Sequence, residues 1–119
     1  MKWELPAPPS ANRIWRKSGN RMHKSKAYND WLEACSWVIC SQRPVPIKGD
    51  AKMTIWMRPK DYRVRDLDNS FKPIGDLMER CRVVINDAQF TELHAYRMAP
   101  SGGVHDLVVE VVSLESTDT

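Results

Sequence analysis

Ala51-Lys52-Met53-Thr54-Ile55-Trp56-Met57 is the stretch whose reading decides the fold. Met53, Ile55 and Met57 alternate with Lys52, Thr54 and Trp56. Side chains of an extended strand point to opposite faces in turn, so this period of two predicts a strand with one apolar face. Downstream the period changes. Phe71, Ile74, Leu77, Met78 and Cys81 recur at the three-and-four spacing of an amphipathic helix. Val83 to Ile85 reads as a short extended segment. Glu92 to Met98 and Val104 to Val112 read as a hairpin joined by Ala99-Pro100-Ser101-Gly102-Gly103. Upstream, Trp3-Glu4-Leu5 is a short strand that stops at Pro6-Ala7-Pro8-Pro9, because proline cannot donate to a sheet ladder. Ser25 caps a helix reaching about Gln42, with Trp31, Cys35 and Val38 as its apolar stripe, Leu32 and Ile39 widening it, and Pro44 and Pro46 closing it. The order β-α-β-α-β-β predicts a single α+β domain over residues 1–119, a mixed β-sheet with helices mainly on one face.

Composition agrees with one domain. The chain has 119 residues, 42% of them hydrophobic, and a formal charge of only +3. A domain of this size buries roughly two thirds of its unfolded surface, so docking against a second copy would add useful burial. The three cysteines, Cys35, Cys40 and Cys81, show no C-x-x-C spacing, which argues against a disulfide framework or a structural zinc site. No signal peptide opens the chain and no apolar run approaches membrane-spanning length, so a soluble, cytoplasmic protein without membrane contact is expected. The charge is unevenly placed. Residues 10–26 have no hydrophobic period and carry Arg13, Arg16, Lys17, Arg21, Lys24 and Lys26, with Gly19-Asn20 as a turn signal; a mobile basic loop is expected there. Residues 115–119 read as a frayed polar tail.

The chemistry centres on Arg63-Val64-Arg65-Asp66-Leu67-Asp68-Asn69. Carboxylates at i and i+2 point the same way only on extended backbone. Pro73 is tolerated in a first helical turn but not in a helix interior, so the helix is expected to begin near Asn69 or Ser70, leaving Asp66 and Asp68 just before it. Such a pair can share Mg²⁺, which takes one or two carboxylates with waters and phosphate oxygens. Read alone, the pair suits equally well the neutralising of Arg63 and Arg65, with Asp68 or Asn69 as a helix cap. Asp87, after the apolar run Val83-Val84-Ile85, can return to the same site, or serve as an ordinary turn residue. Lys72 can act on a phosphate or simply pair with Asp76 at i+4. Asp76 is read as a partner of Lys72 or Arg80 rather than a metal ligand. Trp15 could stack at an unpaired base, though packing on the core is the simpler reading.

Arg65-Asp66-Leu67-Asp68-Asn69, then Lys72, then Asp87-Ala88-Gln89, resemble the signature of the RusA Holliday-junction resolvases, and Pro8-Pro9-Ser10-x-Asn12-Arg13 is similar to that family's opening motif. The likeness runs from about Leu5 to Leu114. It implies that Asp66, Asp68 and Asp87 are metal-binding catalytic carboxylates, that Lys72 is the basic active-site residue, and that the protein is a homodimer cutting two opposed strands. The family can show paired acids where this chain has Asn86-Asp87, a departure that bears on metal affinity. The expected function is a Mg²⁺-dependent endodeoxyribonuclease, with Mn²⁺ able to substitute, that resolves four-way junctions in recombination and repair. Divalent ions can activate water and stabilise the charge that hydrolysis develops. Phosphate contacts are assigned to Arg13, Arg16, Lys17, Arg21, Lys24, Lys26, Arg63 and Arg65. A metal nuclease for other branched DNA and a non-catalytic basic DNA-binding protein are the alternatives.

Overall fold

The structure is a computed structural model that describes residues 1–9, 15–18, 21–58, 64–97 and 106–114, with side chains described for 1–9, 25–58, 70–97 and 106–114. Strand β1 (Lys2–Leu5) precedes two short strands, β2 (Trp15–Ser18) and β3 (Arg21–Lys24), and helix α1 (Lys26–Ser41). Strand β4 (Ala51–Met57), helix α2 (Val64–Arg80), a 3₁₀ turn (Asp87–Gln89), β5 (Phe90–Arg97) and β6 (Leu107–Ser113) complete the order. This is the expected α+β domain.

Four strands form the main sheet in the order β1-β6-β4-β5, with β4 parallel to β5 and antiparallel to β6. The alternation read in residues 51 to 57 holds: Ala51, Met53, Ile55 and Met57 are buried, joined across the register by Trp3, Leu5, Leu107, Val109 and Val111. Both helices cover this face. Tyr28, Trp31, Leu32, Cys35 and Ile39 of α1 and Ile74, Leu77 and Met78 of α2 belong to the same buried cluster. Each such aliphatic side chain contributes roughly 1.5–3 kcal/mol when taken from water. On the opposite face Trp56 stacks on Tyr96 at 6.0 Å, and the Lys2 ammonium lies 5.3 Å from the Trp56 ring centre.

Helix α1 begins as expected, with the Ser25 hydroxyl accepting from the Tyr28 amide and Gln42 at the C-cap. Its buried stripe is shifted: Tyr28 is buried, whereas Val38 is 40% exposed. Three further expectations are corrected. The segment 10–26 is not all loop, since β2 and β3 pair antiparallel with Ser18 opposite Arg21. Only Gly19 and Asn20 separate them, which is the length of a tight hairpin connection, and backbone pairing there requires no apolar period.

Strands β5 and β6 do not form a hairpin, because β4 lies between them. A chain that crosses a sheet through a helix returns parallel to the strand it left, and α2 delivers β5 beside β4 in that sense. The central position goes to β6, whose Leu107, Val109 and Val111 are buried, while β5 is mostly exposed and takes the edge.

Lastly, α2 starts at Val64, so residues 66 and 68 stand on helical backbone. Pro73 lies inside the helix, where it removes the bond to the carbonyl four residues earlier at a cost of about 3 kcal/mol. The helix absorbs that loss because its second half is anchored by fully buried Ile74, Leu77 and Met78. The proline is a breaker in propensity alone, and tertiary packing overrides it. Among the described residues, no helix is long and apolar enough to cross a membrane.

Candidate active site

Helix α2 buries one face and presents another. Lys72, Asp76 and Glu79 recur at i, i+4 and i+7, the spacing that stacks side chains along one stripe. Past the helix end Arg82 takes φ 57, a left-handed conformation that turns the chain back, and the Val83 amide closes the turn on the Met78 carbonyl at 2.9 Å. Val83 and Val84 are fully buried, and Val84 bridges Ile47. This returns the chain toward the exposed stripe of α2.

The turn that follows is built by its own polar residues. Asn86 Oδ1 accepts from the Ala88 amide at 2.8 Å. Gln89 Oε1 accepts from the amides of Ile85 at 2.8 Å and Asn86 at 3.0 Å, completing a capping box. Gln89 Nε2 donates to the carbonyls of Ile47 at 2.7 Å and Gly49 at 2.8 Å. The Asp87 amide donates to Glu79 Oε1 at 2.7 Å, tying the turn to α2. Gly75 stands at this approach: a Cβ there would lie 3.5 Å from the Asp87 Cβ.

Asp87 therefore meets Lys72. The Lys72 ammonium donates to Asp87 Oδ2 at 3.1 Å and pairs with Asp76 Oδ1 at 3.2 Å. Asp76 Oδ2 in turn accepts from the Tyr28 hydroxyl at 2.9 Å. The hydrogen bond to Asp87, then that to Asp76, raises the Lys72 pKa above its ordinary 10.5, so the group is fully charged at neutral pH. Burial, then the bond to Asp76, raises the phenol of Tyr28. Carboxylate oxygens of Asp76, Glu79 and Asp87 all lie within 4.8 Å of one another. At that distance two unit charges repel by roughly 3 kcal/mol at an effective dielectric near 20, and by less where water reaches them. Hard oxygen donors so gathered suit a divalent cation of the Mg²⁺ or Mn²⁺ type.

Of the residues chosen from sequence, Asp87 and Lys72 are brought together across fifteen positions of chain. Asp66, Asp68 and Arg65 lie in the first turns of α2, with side chains outside those described. Because that backbone is helical, the convergence argued from an extended chain does not carry over, and the choice of Asp66 and Asp68 rests on the family pattern. Arg16 and Lys17 lie on β2, Arg21 and Lys24 on β3, with side chains outside the described residues, as do Arg13 and Arg63 entirely. Trp15 opens β2, its side chain likewise outside those described. Lys26 is the exposed first residue of α1. Asp76 pairs with Lys72 as expected.

Sequence reading missed Tyr28 and Glu79, and it quoted Asn86 and Gln89 without assigning them the turn that they build. The Asn-x-x-Gln spacing at 86–89 was a visible capping signal, and Glu79 shares the helical spacing of 72 and 76. Nothing local to Tyr28 marked it, because its partner is 48 positions away.

Comparison with known proteins follows the same lines. The family described as Endodeoxyribonuclease RusA matches residues 5–111. The crossover junction endodeoxyribonuclease RusA of Aquifex aeolicus is 31% identical over 104 residues, covering 83% of this chain and 79% of the relative. The corresponding enzyme of Enterobacteria phage HK97 is 26% identical over 94% of this chain and 93% of its own length. That of Escherichia coli K12 is 29% identical over 83% of each chain.

Proposed function

Because the chain belongs to the RusA family of endodeoxyribonucleases, we propose that it resolves four-way DNA junctions by paired, symmetric hydrolysis of two opposed phosphodiesters. The observation that carries this reading is the Lys72 ammonium held 3.1 Å from Asp87, two members of the family pattern joined by separate elements. Residues 1–119 act as one nuclease domain. Asp87, together with Asp66 and Asp68 from α2, holds the divalent cation, with Mg²⁺ the expected ion and Mn²⁺ a substitute. The donor set fits: all are hard oxygens, and the other oxygen of Asp87 accepts no hydrogen bond among the described residues. When bound, such an ion lowers the pKa of its water and stabilises charge on the phosphate oxygens.

The remaining work falls to the chain. Asp87 is presented by a hydrogen-bonded turn, which fixes where phosphate must come. Lys72, 74% exposed and charged, stands at the edge of the acidic cluster, where its ammonium can pair with an incoming phosphate oxygen. Its charge also offsets part of the repulsion between the acids and DNA. Phosphate contacts from Arg13, Arg16, Lys17, Arg21, Lys24, Lys26, Arg63 and Arg65 dock the arms. A homodimer matches the two-fold symmetry of the junction and the need for two cuts. The cytoplasm, where DNA lies in bacterial cells, is the expected location.

The test is a Mg²⁺ titration of cleavage on a labelled four-way junction, beside linear duplex and flap controls, with sedimentation of the same protein. Paired cuts on the junction by a dimer are expected. Cleavage of flaps in preference to junctions would assign another branched substrate, and a monomer that still cuts in pairs would remove the symmetry argument.

A further inference from the structure

Lys72 needs more than Asp87 to hold it in place. Its side chain is 74% exposed, and an exposed ion pair is worth at most about 1 kcal/mol against the entropy of a flexible four-carbon stem. Asp76 at i+4 is the second partner, yet an acid placed C-terminal to its lysine is the weaker orientation on a helix. Asp76, however, is itself anchored. Its Oδ2 accepts from the Tyr28 hydroxyl at 2.9 Å, leaving Oδ1 directed to the ammonium. Tyr28 is held from several sides: it is only 1% exposed and stacks on Trp31 at 5.9 Å, and the Trp31 ring donates to the Pro6 carbonyl. Its amide is bound by the helix cap Ser25.

We infer that Tyr28 and Asp76 are positioning residues for Lys72, the buried phenol orienting the carboxylate and the carboxylate holding the ammonium beside Asp87. The inference rests on the functional reading above, in which Lys72 acts at the phosphate. It assigns Asp76 an orienting role, since both of its oxygens are engaged by donors.

Tyr28→Phe removes one hydroxyl and keeps the stacked ring. Single-turnover cleavage at saturating junction is expected to fall about tenfold, in the range of a lost supporting contact, with junction affinity unchanged. Asp76→Asn, on a partly exposed side chain, is the companion should the phenylalanine variant fold poorly. It is expected to lower the same rate while the Mg²⁺ concentration giving half the maximal rate stays put. The ammonium ¹⁵N–¹H resonance of Lys72 in the free protein, identified by its absence in Lys72→Ala, should be visible in wild type and broadened away in both variants. A purely structural phenol would lower the melting temperature and leave rate and resonance alone, which overturns the inference. So does a raised Mg²⁺ requirement in Asp76→Asn, which would make Asp76 a ligand. A wild-type protein that leaves junctions uncut overturns the functional reading instead, and the resonance still decides whether Tyr28 and Asp76 hold Lys72.

Discussion

Asp87 sits in a turn whose hydrogen bonds reach α2, the loop at Ile47 to Gly49 and its own flanking amides, whereas Asp66 and Asp68 sit in the first turns of α2, upstream of a proline. The turn is specified by the residues beside the acid. Asn86 and Gln89 satisfy amides that would otherwise face water, so the motif carries its own geometry. The helix start is specified from elsewhere, by the buried second half that keeps α2 continuous through Pro73. A motif read from neighbours is thus trustworthy where neighbours do the holding, and less so where distant packing does.

The sharpest way to break this comparison is to remove the acids one at a time. Asp66→Asn, Asp68→Asn and Asp87→Asn are each expected to lower cleavage by about 10³-fold or more, as loss of a core catalytic group does, with junction binding kept or strengthened. Kinetics and a binding isotherm on one junction check both halves. Near-normal cleavage by a helix variant alone would confine the site to the turn and the Lys72 stripe.

Lys72→Ala comes next. Turnover is expected to fall about 10²-fold, the usual loss for one charged donor at a reacting phosphate, with little change in affinity, because many cations share the docking. Normal cleavage with poor binding would make Lys72 a docking residue and return its contacts with Asp76 and Asp87 to an ordinary surface network.

The two-layer α+β arrangement was legible because strand and helix periods are local: Met53, Ile55 and Met57 are buried as the alternation required, and Ile74, Leu77 and Met78 as the helical spacing required. Strand adjacency was not legible. The sequence Ala99 to Gly103 reads as a hairpin connection, and only the burial demand of β6 against the polarity of β5 shows why β4 must lie between. In the site, Asp87 and Lys72 were picked out by their likeness to the family pattern, since read alone each also suited an ordinary turn or surface pair. Two of the bonds around them, from Tyr28 to Asp76 and from Gln89 to Ile47, span 48 and 42 positions, beyond any local pattern.

Gln89→Ala tests the turn's half of the comparison directly. It deletes two acceptor contacts that are exposed and two donor contacts that are part-buried, so a loss of about 1–2 kcal/mol in stability is expected. Cleavage should fall about tenfold, as for a lost supporting contact, through misplacement of Asp87. Unchanged cleavage at temperatures where the variant is folded would show that Glu79 alone places the acid.

The smallest effect is expected at Gly75, where the turn approaches the second half of α2. A Cβ there would lie 3.5 Å from the Asp87 Cβ and 3.9 Å from its Oδ2, ordinary van der Waals contact rather than a clash. Glycine inside a helix costs up to about 1 kcal/mol relative to alanine, so Gly75→Ala should raise the melting temperature by a few degrees. Cleavage should stay within about twofold of wild type, since nothing must shift. Gly75→Val is the contrast, because a branched side chain has no such room and must push the turn from the helix. If alanine already lowered cleavage as far as valine, the acid would have to sit closer to α2 during catalysis than it does here. The approach of turn to helix would then be a movement of the working enzyme, and the glycine its requirement.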